Sequence, residues 1–174
     1  MDGLKANAPL RWRTVRAHGT AVGLPSDADM GNSEVGHNAL GSGQVVDQGA
    51  RLVDIALETG SIYAGNGWKH IEPAFAEKTL HLIGLLSDGG VHSRTNQLFA
   101  LIRGAVDKGA KRIRVHVLTD GRDVEDGTSI KFVAELEEVL AGLQGCDAKI
   151  ASGGGRMGVT MDRYEADWKI VERG

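Results

Sequence analysis

The sequence predicts an α/β fold built on a parallel sheet, and three observations carry that prediction. From residue 78 onward, short apolar runs alternate with amphipathic helical stretches. Each apolar run passes straight into a polar loop. The connections at the opposite ends of those runs are short and plain. The resulting order, β-α-β-α-β, is the order that makes parallel strands joined by right-handed crossovers.

The elements follow in turn. Residues 1–44 show little periodicity and no apolar set able to bury a core of their own; Arg11–Ala17 reads as a short strand or an irregular connection. Gln44 to Thr59 reads as a helix, with Val45, Leu52, Ile55 and Ala56 at helical spacing and Gly60 to end it. Asn66-Gly67 marks a turn. Lys78–Leu86 is a near-continuous apolar run, the pattern of a strand buried on both faces. Asn96 to Lys108 is an amphipathic helix carrying Leu98, Leu101, Ile102, Ala105 and Val106 on one side, with Ser93 or Thr95 as its cap. Arg112–Leu118 is the second strand. Ser129 to Leu143 is a second helix with Ile130, Val133, Leu136, Leu140 and Leu143 as its buried stripe, and Ala148–Ala151 is a short third strand.

Composition narrows the function classes. The 174 residues make one ordinary domain or parts of two. With 41% hydrophobic and 25% charged residues the chain is globular, and a net charge of −3 argues against a general nucleic-acid binder. Cys146 is the single cysteine, so there is no disulfide framework and no cysteine-based zinc site. No apolar run approaches membrane-spanning length, so no membrane partner is expected. Residues 1–25 lack a signal-peptide core, which points to a reducing, cytoplasmic setting.

The three polar loops are Ser87–Arg94, Thr119–Asp126 and Ser152–Gly158. In a parallel sheet all three lie at the carboxyl edge, where open α/β folds bind ligands. Arg122, Arg156 and Arg163 would face a common space, and a guanidinium fork suits phosphate or carboxylate. Asp88, His92 and Asp123 add groups that bind hydroxyls or move protons. Each has a plainer reading too: Asp88 as a turn former, His92 as a helix-start residue, Arg163 as a solvated ion pair with Glu165 or Asp167. Gly153–Gly158 satisfies G-x-G-x-x-G after a strand, but residues 159–171 cannot hold the helix and strand that a dinucleotide fold then needs. Its glycines are expected to let amides approach an anion or to serve a tight turn. His18, His70, His81 and His116 show no metal spacing and read as structural.

The densest polar stretch lies earlier. Asp27-Ala-Asp-Met-Gly-Asn-Ser-Glu-Val-Gly-His37 centres on Ser33. A serine hydroxyl is a weak nucleophile until a base or metal activates it. Asp27, Asp29, Glu34 and His37 are the local candidates, and Gly31 leaves room for a bulky ligand group beside the backbone. The second glycine falls one residue late for a G-x-S-x-G elbow. A Gly-rich surface turn with a helix cap accounts for the same residues equally well.

Met30–His37, preceded by Ala17–Pro25, resembles the nucleophile segment of cofactor-independent phosphoglycerate mutases, members of the alkaline phosphatase superfamily. Ser87–Ser93, Thr119–Val124, and Gly155-Arg156 with Met161-Asp-Arg163 resemble that family's substrate-binding motifs, in family order. The resemblance implies that Ser33 takes the phosphoryl group, as catalytic nucleophile and as a ligand of one metal ion. It implies that His92, Arg122, Asp123, Arg156 and Arg163 hold the glycerate while 3-phosphoglycerate and 2-phosphoglycerate interconvert. Two divalent ions, manganese or magnesium, are implied, with no 2,3-bisphosphoglycerate and with a monomer as the complete form. Residues 1–47 correspond to a piece of an alkaline-phosphatase-like domain and 48–174 to an incomplete transferase domain. The family's Asp-Gly-Trp-Gly metal segment and its remaining Asp and His ligands fall outside this stretch. Two other readings stand beside this one: a metal-dependent phosphatase of the same superfamily, and a non-catalytic fragment or interaction module.

Overall fold

The computed structural model describes residues 2–160 and 167–174. The chain forms two compact units, residues 1–51 and 52–174. Among the described residues no helix is long and apolar enough to cross a membrane.

The first unit opens with helix α1 (Asp2–Asn7) and a 3-10 turn at Pro9–Arg11. Residues 12–17 are irregular, which settles the choice left open there. A second 3-10 turn (Gly19–Val22) leads to helix α2 (Ser33–Ser42). The nucleophile-like stretch is therefore half loop and half helix. Asn32 caps α2 by accepting from the Val35 amide at 3.1 Å, and Gly43 ends it with φ 66°. Contrary to expectation, this unit has a small core: Val22, Leu24 and Val35 are buried, with Ala39 packed on them. These residues follow no single period, because the core is assembled from a turn, a loop and a helix.

Helix α3 covers Gly49–Glu58, not Gln44–Thr59. Residues 44–48 are held extended by Gln48, whose amide donates to Gly23 O and whose Nε2 donates to Val22 O and Val46 O. Gly23 has φ 80°, and a Cβ there would stand 1.7 Å from Val46 O, so only glycine admits this crossing. The boundary between the two units falls within α3. That helix buries no residue, and its expected apolar stripe stays open at Leu52 and Ile55.

In the second unit, helix α4 (Asn66–Ile71) replaces the expected turn at Asn66-Gly67. Trp68 anchors it, with edge-on contacts to Tyr63 and Phe75 at ring separations of 4.7 and 5.5 Å. Strand β1 (Leu80–Leu86), helix α5 (Thr95–Asp107), strand β2 (Arg112–Thr119), helix α6 (Ser129–Ala141) and strand β3 (Asp147–Gly155) follow. Short helices α7 (Arg156–Val159) and α8 (Trp168–Glu172) complete the described chain. Neither Ser93 nor Thr95 caps α5; the Ser93 hydroxyl donates instead to Leu85 O at 2.7 Å. In α6 the buried residues are Phe132, Leu136 and Leu140, and Ile130 is exposed. At 100° per residue Ile130 lies about 120° from the centre of that face, too far round to pack.

The sheet is parallel, in the order β1-β2-β3, as the alternation predicts. Two right-handed crossovers stepping in one direction put both helices on one face. Ile102, Ala105, Phe132, Leu136 and Leu140 accordingly pack with Ile113, Val115 and Val117 in one core. The other face is open. His81 and Ile83 are exposed, so β1 is not buried on both sides as its composition predicts. On that face His81 Nδ1 lies 2.9 Å from His116 Nε2, and His116 Nδ1 lies 2.8 Å from Ser152 Oγ. Strand β3 also outruns its expected end, through Gly153–Gly155. A Cβ on Gly153 would sit 2.9 Å from Val117 Cγ2, and one on Gly154 would sit 3.2 Å from Val159 Cγ1. Close packing explains Gly153 and Gly154, whereas a Cβ on Gly155 would meet only Thr119 Oγ1 at 3.8 Å and one on Gly158 nothing within 4 Å.

Candidate functional site

The carboxyl ends of the three strands bring the predicted loops together. Leu86 pairs with Thr119, and Thr119 with Gly155, so Ser87, Asp120 and Arg156 emerge side by side. Arg156 is buried. Its Nη1 donates to Asp120 Oδ1 at 3.0 Å and to Asp123 Oδ2 at 2.6 Å. His92 Nε2 stands 3.8 Å from the same Asp123 oxygen, with half of the imidazole exposed. Of the residues singled out in sequence, His92, Asp123 and Arg156 thus form one chain of contacts. Arg122 is exposed beside them and is tied in through its backbone amide, 3.0 Å from Asp120 Oδ1. Asp88 is exposed at the loop surface. Arg163 lies outside the described residues.

Asp120 is the residue that sequence reasoning passed over. Its side chain is fully buried. Oδ1 accepts the amides of Gly121, Arg122 and Asp123, and Oδ2 accepts the Ser87 hydroxyl at 2.7 Å. Burial alone pushes a carboxyl up, but the Ser87 hydroxyl and the three amides reverse this and hold Asp120 well below the usual carboxylate range. Burial likewise acts to lower Arg156, and the two carboxylates more than offset it, so the guanidinium is held firmly charged. The signal available in sequence was positional: Ser87 and Asp120 each stand one residue past a strand end. Chemically, the cluster presents an exposed cation at Arg122, a part-exposed acceptor at Asp123 and an imidazole at His92. Those groups suit a small anion bearing hydroxyls.

The Ser33 segment lies in the first unit. Ser33 is the first residue of α2 and is exposed. His37 Nδ1 is 2.6 Å from Ser33 O and 3.2 Å from Ser33 Oγ. A carbonyl oxygen only accepts, so Nδ1 carries the hydrogen and is no base for the hydroxyl. Glu34 is exposed in the first turn of α2, and the other two carboxylates are committed elsewhere. Asp27 accepts the Thr20 hydroxyl, the Thr20 amide and Arg16 Nη2, and these hold its carboxyl down to about 2. Asp29 accepts the Ser26 amide and hydroxyl, both at 2.8 Å. Gly31 serves the fold and not a ligand: a Cβ there would lie 1.8 Å from Ala17 O. Among the described residues no group of three or more His, Cys, Asp or Glu side chains could hold a metal ion. The described residues therefore do not compose a metal centre.

Known proteins resemble this chain throughout. It is 65% identical, over its whole length, to the 2,3-bisphosphoglycerate-independent phosphoglycerate mutase of Mesembryanthemum crystallinum, and covers 32% of that protein. It is 67% identical to the enzyme of the same name from Trypanosoma brucei brucei, again over its whole length and 32% of the relative. A crystal structure of Leishmania mexicana phosphoglycerate mutase at low cobalt concentration superimposes with a TM-score of 0.87 and 69% identity, over 93% of this chain and 30% of that one. The chain thus spans about a third of the length of the curated relatives it matches. The family model described as the BPG-independent PGAM N-terminus matches residues 53–174, well over half of the sequence, and the chain belongs to that family.

Proposed function

We propose that this chain carries the substrate-holding loops and the phosphoryl-accepting serine of an enzyme that interconverts 3-phosphoglycerate and 2-phosphoglycerate without 2,3-bisphosphoglycerate. The observation that carries this reading is the meeting of His92, Asp123 and Arg156 at one strand edge, with Arg122 exposed beside them. Arg122 and Arg156 take the anionic groups of the substrate, and Asp123 and His92 take its hydroxyls. Arg163 joins them as a further cation. Ser33 Oγ gives up its proton and attacks phosphorus; the new O–P bond forms as the bond to the glycerate oxygen breaks, and that oxygen takes up a proton in place of the one Ser33 lost. The glycerate then reorients, its other hydroxyl gives up its proton and attacks the phosphoserine, the Ser33 O–P bond breaks, and Ser33 Oγ regains a proton.

The two manganese or magnesium ions implied by the family resemblance find no complete ligand set among the described residues. Ser33 is proposed as one ligand only, and no step above is routed through an ion. The complete form is proposed to act as a monomer. The phosphatase reading differs in its product, since water in place of the second hydroxyl yields inorganic phosphate.

The test is a Ser33→Ala substitution in a polypeptide of the relatives' full length. The expected result is loss of mutase turnover with 3-phosphoglycerate binding retained. Substantial turnover in the variant overturns the serine assignment, and inorganic phosphate as the main wild-type product overturns the mutase reading. The 174-residue chain alone, with manganese added, is expected to show no turnover, because it lacks a metal centre among its described residues.

A further inference from the structure

We propose that Asp120 is the positioning residue of the strand-edge cluster, the permanent anchor of Arg156 and of the Arg122–Asp123 turn, and that Asp123 is the exchangeable partner that a bound anion displaces from Arg156. The ligand half of this proposal rests on the substrate reading above; the positioning half stands on the geometry.

The two carboxylates on Arg156 are not equivalent. Asp120 Oδ1 takes Gly121 N at 2.9 Å, Arg122 N at 3.0 Å, Asp123 N at 3.2 Å and Arg156 Nη1 at 3.0 Å. Its Oδ2 takes Ser87 Oγ, and that oxygen in turn accepts the Gly89 amide at 3.2 Å. One buried carboxylate therefore ties the ends of β1, β2 and β3 into a unit, and to leave Arg156 it would have to strand several donors. Asp123 sits differently. Its side chain is 14% exposed, on the side where His92 stands. Its carboxylate can turn outward to water or to a substrate hydroxyl without uncovering a buried charge. A phosphate or carboxylate arriving at Arg156 thus meets two unlike carboxylates, one that cannot leave and one that can. The asymmetry also sets the aim of Arg122, whose backbone amide is fixed by Asp120 while its guanidinium is exposed.

The test uses the 174-residue chain, isotope-labelled, as wild type and as Asp120→Asn, Asp123→Asn, Ser87→Ala and Ile113→Val. The last trims the core on β2 away from the cluster and serves as a stability control. Amide exchange at residues 121–123, the Arg156 Nε–H signal and the Kd for 3-phosphoglycerate are measured below every thermal midpoint. Asp120→Asn is expected to speed exchange at 121–123 and to weaken 3-phosphoglycerate binding, each about tenfold or more, the scale of one charge-assisted bond. It also shifts or broadens the Arg156 signal. Asp123→Asn leaves the 121–123 exchange within about twofold. Ile113→Val leaves all three readouts in place. If Asp120→Asn fails to fold, Ser87→Ala removes the Oδ2 donor, together with the acceptor of the Gly89 amide, and is expected to give the same exchange change at 121–123 at smaller size. An Arg156 signal and turn exchange unmoved by both Asp120→Asn and Ser87→Ala overturn the proposal, as does the same response in Ile113→Val. A wild-type chain with an Asp120-dependent Arg156 signal that ignores 3-phosphoglycerate sinks the substrate reading and leaves the positioning result standing.

Discussion

The two polar clusters of this molecule use carboxylates in opposite ways. At the strand edge, Asp120 is buried and draws donors from the ends of all three strands. In the Ser33 segment, Asp27 is exposed and Asp29 half-buried, and both accept from residues of their own unit, Asp29 from a residue three positions away. The first cluster is carried by a sheet whose register places its members before any ligand arrives. The second is a loop whose Asp27 and Asp29 organise its own turns and do not accept from Ser33 Oγ. A parallel sheet edge can therefore preform a charged cluster from residues far apart in sequence, whereas the Ser33 loop mainly organises its own turns.

The largest expected effect falls on the sheet cluster. Arg156→Ala leaves Asp120 buried without its cation. Breaking a buried pair typically costs roughly 3–5 kcal/mol, and about 3 kcal/mol is expected here because Ser87 and three amides still serve the carboxylate. Urea unfolding of the second unit measures it; a loss below about 1 kcal/mol would mean that the pair is solvated and would erase the contrast with Asp27. The same pair predicts an acid response. Asp120 is held below its unfolded value, so its contribution is full above about pH 4 and declines as pH falls from there. Asp120→Asn is expected to flatten that decline.

Next in size is Gly31→Ala in the first unit. The added methyl meets a backbone carbonyl, Ala17 O, which has no rotamer to escape into. An overpacking cost of about 1–3 kcal/mol is expected, read as faster amide exchange around residues 17–31. Unchanged exchange there would restore the reading of Gly31 as space kept for a ligand. Asn32→Ala is expected to cost about 1 kcal/mol by uncapping α2, seen as lost protection of the Val35 amide.

These positions also show where the sequence could and could not be read. The β-α-β-α-β order was legible because the amphipathic helices α5 and α6 alternate with short apolar runs, and a parallel sheet then puts His92, Asp123 and Arg156 at one edge. Local pattern failed where tertiary contact decides. Trp68 makes a helix of an Asn-Gly pair, and Gln48 holds residues 44–48 out of α3. Val117 and Val159 explain Gly153 and Gly154, two of the glycines that looked like an anion cradle. The open face at Ile83 was hidden for a different reason. An apolar strand reads the same whether its second face is covered or not, and only strand order reveals that both helices lie on the other side. Asp120 was missed because burial of an acid has no signature in sequence until its partners are known.

The smallest effect tests the other half of the comparison. Asp27 is exposed, yet its carboxyl is held down to about 2, first by the Thr20 hydroxyl, then by the Thr20 amide and Arg16. Because the folded value lies below the ordinary 3.8, the turn that Asp27 closes is intact above about pH 4 and loosens as pH falls toward 2. Carboxyl-carbon NMR reads the midpoint directly. Thr20→Val removes the hydroxyl and is expected to move the midpoint back toward 3.8; Arg16→Gln, which removes only an exposed cation at 3.2 Å, is expected to move it less. The order of the two shifts is the point. If Arg16→Gln moves the midpoint more than Thr20→Val, Asp27 is governed by its ion pair, unlike Asp120, which a hydroxyl and three amides hold down. If Thr20→Val dominates, the loop holds its carboxylate by hydrogen bonds within its own unit, and Asp27 is engaged in closing a turn and not in activating Ser33.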